Sequence, residues 1–190
     1  SIMLHEPQMS EVDLNRYSDM RGAYSLVGTR RVEITTGFTL ATANVFKSVS
    51  LNQPVGAIIE VECLAYYDGN ENGVSDEYDA ITVDQPDHFS VTSDTELVKN
   101  LDSDSKIGAE LWSNGFGDRG NPDFNSPARL CFGTHVVDSD HIFSGAWDQS
   151  ISSTVTYKVK FARNVYFKLV ATVYQRIKMN GKGVLTSYLD

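Results

Sequence analysis

The stretch Ala57-Ile-Ile-Glu-Val-Glu-Cys-Leu-Ala-Tyr-Tyr67 decides how the rest of the chain is read. Alternate positions put Ala57, Ile59, Val61, Cys63, Ala65 and Tyr67 on one face and Ile58, Glu60, Glu62, Leu64 and Tyr66 on the other. Period-two alternation is the signature of an extended segment with one buried face, because successive side chains leave a strand on opposite sides. The segment VTYKVKF repeats the pattern, with Val155, Tyr157, Val159 and Phe161 opposed to Thr156, Lys158 and Lys160. After Arg163-Asn164 the run VYFKLVATVYQRIKM sets Val165, Phe167, Leu169, Ala171 and Val173 on one side. Its β-branched and aromatic content and its uncapped start argue against a helix.

Asn180-Gly181 follows that run, and the chain resumes as GKGVLTSYL. Both turn residues tolerate positive φ, so the C-terminal third reads as an antiparallel meander closed by a hairpin. Further strands are expected at Ala23–Val27, Arg31–Thr35, Phe38–Phe46, Tyr78–Val83, His88–Thr92, Ile107–Trp112, Arg129–Val137 and Ile142–Trp147. One short helix is expected near Ser10–Arg16, where Ser10 caps and Asp13 complements the dipole. Strands at this spacing, separated by polar turns, predict an all-β chain: an antiparallel β-sandwich, jelly-roll-like, with long polar loops. The 190 residues are expected to form a single sandwich domain, with residues 1–20 as an N-terminal arm or short helix.

Composition narrows the function. From Glu62 to Asp104 twelve carboxylates face one cation, Lys99, whereas the last forty residues carry seven cations against Asp190. Opposite patches on one molecule favour association with copies of itself or with neighbours of matching sign. The formal net charge of -9 argues against general nucleic-acid binding, which depends on neutralising phosphates. Residues 1–19 show neither the basic nor the apolar region of a secretory leader, and no stretch reaches the length of a membrane span. Cys63 and Cys131 lie apart in apolar runs, the setting of buried thiols.

The sharpest motif is DGNENGVSDEYD, residues 68–79. Asp68, Asn70, Asn72, Asp76 and Asp79 bear side-chain oxygens, Gly73 permits a tight turn, and the Val74 carbonyl adds a backbone donor. Calcium takes six to eight oxygens, which alternate residues of such a loop can supply. Over these twelve residues the chain resembles the calcium loops of EF-hands, and its spacing is similar to thrombospondin type-3 and dockerin loops. The resemblance implies a structural calcium ion. The loop departs from the EF-hand in having Ser75 at the eighth position, Asp79 in place of a final Glu, and strand-like flanks. A polar connection rich in turn formers accounts for the same residues without an ion.

A second long loop, Ser113–Pro127, carries Phe116, Arg119 and Phe124, with Trp112 before it and Trp147 further on. Aromatic platforms beside polar groups serve protein interfaces and sugar sites alike. Nucleophile elbows, HExxH, P-loops and strand-linked GxGxxG motifs are not found in the sequence. These readings converge on a non-enzymatic structural or assembly protein, an outer virion component such as a spike, decoration, capsid or connector protein. Such a protein would act through self-association or contacts with other particle proteins. The alternative is a calcium-stiffened extracellular adhesion or carbohydrate-binding module, with a glycan as partner.

Overall fold

The computed structural model describes residues 24–51, 55–70, 72–73, 84–114, 117–118, 121–122, 126–133, 145–149, 152–179 and 185–188. In chain order the elements are β1 (Tyr24–Glu33), β2 (Thr39–Ala41), β3 (Lys47–Leu51), β4 (Ala57–Tyr67), β5 (His88–Ser93) and β6 (Glu96–Leu101). Helix α1 (Asp104–Ser113) and the short strands β7 (Gly117–Asp118) and β8 (Asn121–Pro122) follow. Then come β9 (Ala128–Cys131), β10 (Trp147–Asp148), β11 (Val155–Lys160), β12 (Val165–Met179) and β13 (Leu185–Tyr188).

The chain divides into two compact units, residues 29–174 and a smaller unit of residues 1–28 with 175–189. In the smaller unit β13 pairs antiparallel with the end of β12, Met179 opposite Leu185. That is the expected C-terminal hairpin; its Asn180-Gly181 turn lies outside the described residues, as do the helix expected near Ser10–Arg16 and the strand expected at Tyr78–Val83.

Two antiparallel sheets build the larger unit. One runs β1-β12-β4, with β9 and β10 both paired to β4 and β2 paired to β12; the other runs β3-β11-β5-β6. Counting β1, β3, β4, β5, β6, β9, β11 and β12 as the eight principal strands, the orders are 1-8-3-6 and 2-7-4-5. This is jelly-roll topology, in which the last strand returns beside the first and the chain passes repeatedly between sheets. Facing side chains close the core: Val61, Cys63, Ala65, Val165, Phe167, Leu169, Ala171 and Val173 from one sheet meet Phe89, Val91, Val155, Tyr157 and Val159 from the other. At their centre Tyr157 is buried, its hydroxyl accepting from Gln149 Nε2 at 2.8 Å. Burial holds that phenol in its neutral form, with its pKa pushed upward.

Alternation holds through β11 and β12 but breaks in β4. Thr172 pairs with Glu60 and Val173 with Ile58, so Ile59 is an extra residue, a β-bulge. The Ile59 carbonyl accepts from Phe132 N at 2.7 Å and Gly133 N at 3.2 Å. The bulge shifts the phase by one, and Ile58 joins Val61, Cys63 and Ala65 in the core instead of sharing a face with Glu60 and Glu62.

Two expectations are corrected by local hydrogen bonding. Residues 107–112 are helical, not extended. Ser103 caps α1, its hydroxyl accepting from Lys106 N at 3.4 Å, and Asp104 occupies the first turn. Ile107 and Leu111, four apart, enter the core, as an amphipathic helix requires. The expected Phe38–Phe46 strand is interrupted after Ala41: Asn44 takes φ of 58° and donates to Phe161 O at 2.7 Å, and pairing resumes only at Lys47.

Candidate functional site: one rim of the sandwich

The β4 C-terminus, the β5 N-terminus, the β11–β12 turn and the β2–β3 connection meet at one rim of the larger unit. Register brings them together: Tyr67 pairs with Val165, His88 with Lys160, and Lys47 with Val159. Hydrogen bonds tie the connections, Asn164 Oδ1 accepting from Ala43 N at 2.8 Å and Asn164 O from Asp68 N at 3.2 Å.

Aromatic and cationic groups meet on the outer faces of both sheets near this rim. Phe38 meets Tyr66 edge-on at 4.9 Å between centroids, and Tyr66 stacks on Tyr166 at 5.4 Å. Lys168 Nζ lies 5.8 Å from the Phe38 ring centre and pairs with Glu33. On the other sheet Phe46 contacts His88 edge-on at 4.9 Å, with Lys160 Nζ 5.5 Å from the Phe46 ring centre. Arg163 lies 4.3 Å from the Tyr67 ring centre, and its Nε donates to Asp84 Oδ2 at 2.7 Å. Phe38, Val45 and Phe46 remain about half exposed, at 47%, 55% and 53%. Burial holds the His88 imidazole below its ordinary pKa, outweighing the Asp102 carboxylate, and His88 Nε2 shares a 2.8 Å hydrogen bond with Ser90 Oγ.

At the same rim lies the start of the candidate calcium loop. Asp68 is wholly buried, and its Oδ2 accepts from Gly73 N at 3.1 Å. Asn70 Oδ1 accepts from Asn72 N at 3.2 Å, and Gly73 takes φ of +74°, the left-handed conformation the turn requires. Val74, Asp76 and Asp79 lie outside the described residues.

Of the residues expected to meet a partner, Trp112 and Trp147 are described. Trp112 stands on α1 with 56% of its surface exposed. Trp147, on β10, is half-buried, packs on Phe132 at 5.1 Å and supports the core. Phe116, Arg119 and Phe124 carry side chains outside the described set.

Sequence reasoning missed a charged cluster on the outer face of the larger sheet. Glu60 and Glu62 are buried there, and Arg129 on β9 reaches both, with Nη1 2.8 Å from Glu60 Oε1 and Nη2 paired to Glu62. Arg31 also pairs with Glu62, and Thr172 Oγ1 donates to Glu60 Oε1 at 3.3 Å. Alternating carboxylates on an otherwise apolar strand were the available signal; the pairing of β9 with β4, which sets Arg129 opposite Glu62, was not legible without the fold. Nearby, Lys99 pairs with Glu110 and donates to Cys131 O at 2.6 Å.

Both cysteines are free and buried. Burial, reinforced by Glu110 and Glu60, pushes the Cys131 thiol up to about 12, and burial alone pushes Cys63 up as well. Among the described residues no helix is long and apolar enough to cross a membrane.

The sequence matches no protein-family model and no curated protein. Solved structures do match. The PBCV-1 virus capsid, as a quasi-atomic model, aligns with a TM-score of 0.53 at 11% identity, over 94% of this chain and 55% of that one. PBCV-1 VP54, fitted into a reconstruction of the virophage Sputnik, aligns with a TM-score of 0.50 at 13% identity, over 96% of this chain and 55% of that one. The likeness is one of fold. The chain spans about half the length of these capsid structures, and the sandwich is what it shares with them.

Proposed function

We propose that the chain is a non-enzymatic structural protein of a virus particle, working through contacts with copies of itself or with other particle proteins. The observation that carries this reading is the jelly-roll strand order, matched across 94% of the chain by a virus capsid structure. Fold alone does not determine function. Here the surface supports the same reading. Exposed Phe38 lies beside Lys168 on the larger sheet, and exposed Phe46, next to exposed Val45, lies beside Lys160 on the other. Aromatic residues and arginine are the groups enriched at protein interfaces. Trp112 offers a second anchor on the helix, beside the loop that carries Phe116, Arg119 and Phe124.

Within the particle we assign an outer position, as capsid, spike, decoration or connector protein. The acidic balance of the chain suits a surface away from the genome, because a genome-lining protein needs cations to neutralise phosphates. The test is peptide mass spectrometry of gradient-purified particles from the source of this sequence, before and after detergent and salt washes. The chain is expected as a wash-resistant, stoichiometric component that surface biotinylation labels on intact particles. Its absence from washed particles overturns the structural role, and its presence without labelling overturns the outer position.

A further inference from the structure

One group at the rim lacks compensation. Asp68 follows the last residue of β4 and has no exposed surface, yet only one of its two carboxylate oxygens is used, Oδ2 accepting from Gly73 N at 3.1 Å. Its Oδ1 is buried without a hydrogen-bond partner, and no described residue forms an ion pair with Asp68. The nearby cation, Arg163, is engaged with the Tyr67 ring and with Asp84 Oδ2. A buried carboxylate with an unused oxygen is costly unless a cation meets it. Gly73 N returns to Asp68 Oδ2, and Asn70 and Asn72, at alternate positions after the carboxylate, carry amide oxygens, that of Asn70 accepting from Asn72 N.

We infer that the loop beginning at Asp68 binds a calcium ion through Asp68, Asn70 and Asn72, locking the connection that leaves β4 onto the rim. Oxygen donors from carboxylate and amide groups at alternate positions suit calcium, which accepts six to eight oxygens in flexible geometry. Magnesium demands a tighter octahedron and keeps its waters. The burial of Asp68 distinguishes this loop from an ordinary polar turn, whose carboxylates lie in water.

The experiment is thermal unfolding of the full chain in calcium, in magnesium and in chelator, with calorimetric titration of calcium. A ligand bound only by the native state raises the melting temperature by mass action, about 5–10 °C at a calcium concentration of roughly 100 Kd for a chain of this size. Magnesium at the same concentration is expected to give a smaller shift. Asp68→Asn is expected to abolish the calcium response while melting at or above the wild type in chelator, since it removes an uncompensated charge. Asn72→Ala, at an exposed position that leaves the core untouched, is expected to weaken calcium binding roughly tenfold. Equal melting in calcium and chelator with no heat of binding overturns the site, and so does an unchanged calcium affinity in either variant.

Discussion

Arg129→Met probes the charged cluster on the outer face of the larger sheet. The methionine keeps much of the aliphatic packing but removes the guanidinium that Glu60 and Glu62 share. Side-chain exposures of 11% for Arg129, 6% for Glu60 and 8% for Glu62 place all three in a largely dehydrated setting. Breaking a buried pair by removing one partner costs about 3–5 kcal/mol, because the remaining charge is left desolvated. Two features pull the expectation to the lower end: Arg31, 60% exposed, still reaches Glu62, and the Thr172 hydroxyl still donates to Glu60. A loss of about 3 kcal/mol is therefore expected. It corresponds to a fall in melting temperature of about 6–12 °C for a chain of this length. Urea unfolding followed by tyrosine and tryptophan fluorescence measures it, with the slope unchanged and the midpoint lowered. The triple variant Glu60→Gln, Glu62→Gln, Arg129→Met removes the charges together and is expected to regain at least half of the loss, a coupling that independent sites do not show. A single variant within about 0.5 kcal/mol of wild type, or a triple variant no better than the single, refutes the reasoning.

Three further outcomes follow from the core and surface. Tyr157→Phe strands the Gln149 amide in the interior, where its carbonyl oxygen already lacks a hydrogen-bond partner; a loss of about 1–3 kcal/mol is expected in chemical unfolding, and adding Gln149→Leu is expected to lessen it. Cys63 and Cys131 are expected to resist a thiol reagent at about pH 8 in the native chain, and both to react in denaturant, which a disulfide would prevent. Acrylamide is expected to quench mainly Trp112, so that Trp112→Phe removes most of the quenchable fluorescence while Trp147→Phe leaves it nearly intact.

How much of this was legible beforehand depended on whether a signal was local. The β11 and β12 alternations placed Tyr157, Phe161, Phe167 and Leu169 inward, because each residue's face follows from its neighbours along the strand. Ile58 was misplaced because a bulge depends on the partner strand: Thr172 and Val173 step past Ile59, and nothing in the sequence around residue 59 announces it. Helix α1 was readable in principle from Ser103, Asp104 and the Ile107–Leu111 spacing, but six apolar-rich residues fit a strand almost as well. Strand β6 passed unnoticed because Asp94, rather than glycine, takes the positive φ of 53° at its turn, stabilised by Ser153 N and Thr154 N donating to its side chain at 3.1 and 3.0 Å.

The site divides in the same way. Oxygen-bearing residues at alternate positions were visible in the motif itself, whereas the burial of Asp68 depends on Asn164 and the β11–β12 turn arriving from far along the chain. Trp112 and Trp147 are alike as letters. Helix geometry turns the first outward, and β10 pairing at the Ala57–Ile58 end of β4 holds the second against Phe132.

The proposed role makes this jelly roll a repeating outer subunit of a particle. Electron cryo-microscopy of purified particles checks that role. Surface density that accommodates the β3-β11-β5-β6 and β1-β12-β4-β9 sheets, repeated by the particle's symmetry and with exposed Phe38 or Phe46 against a neighbour, is the predicted result. A fully assigned outer layer in which every density belongs to other chains contradicts it.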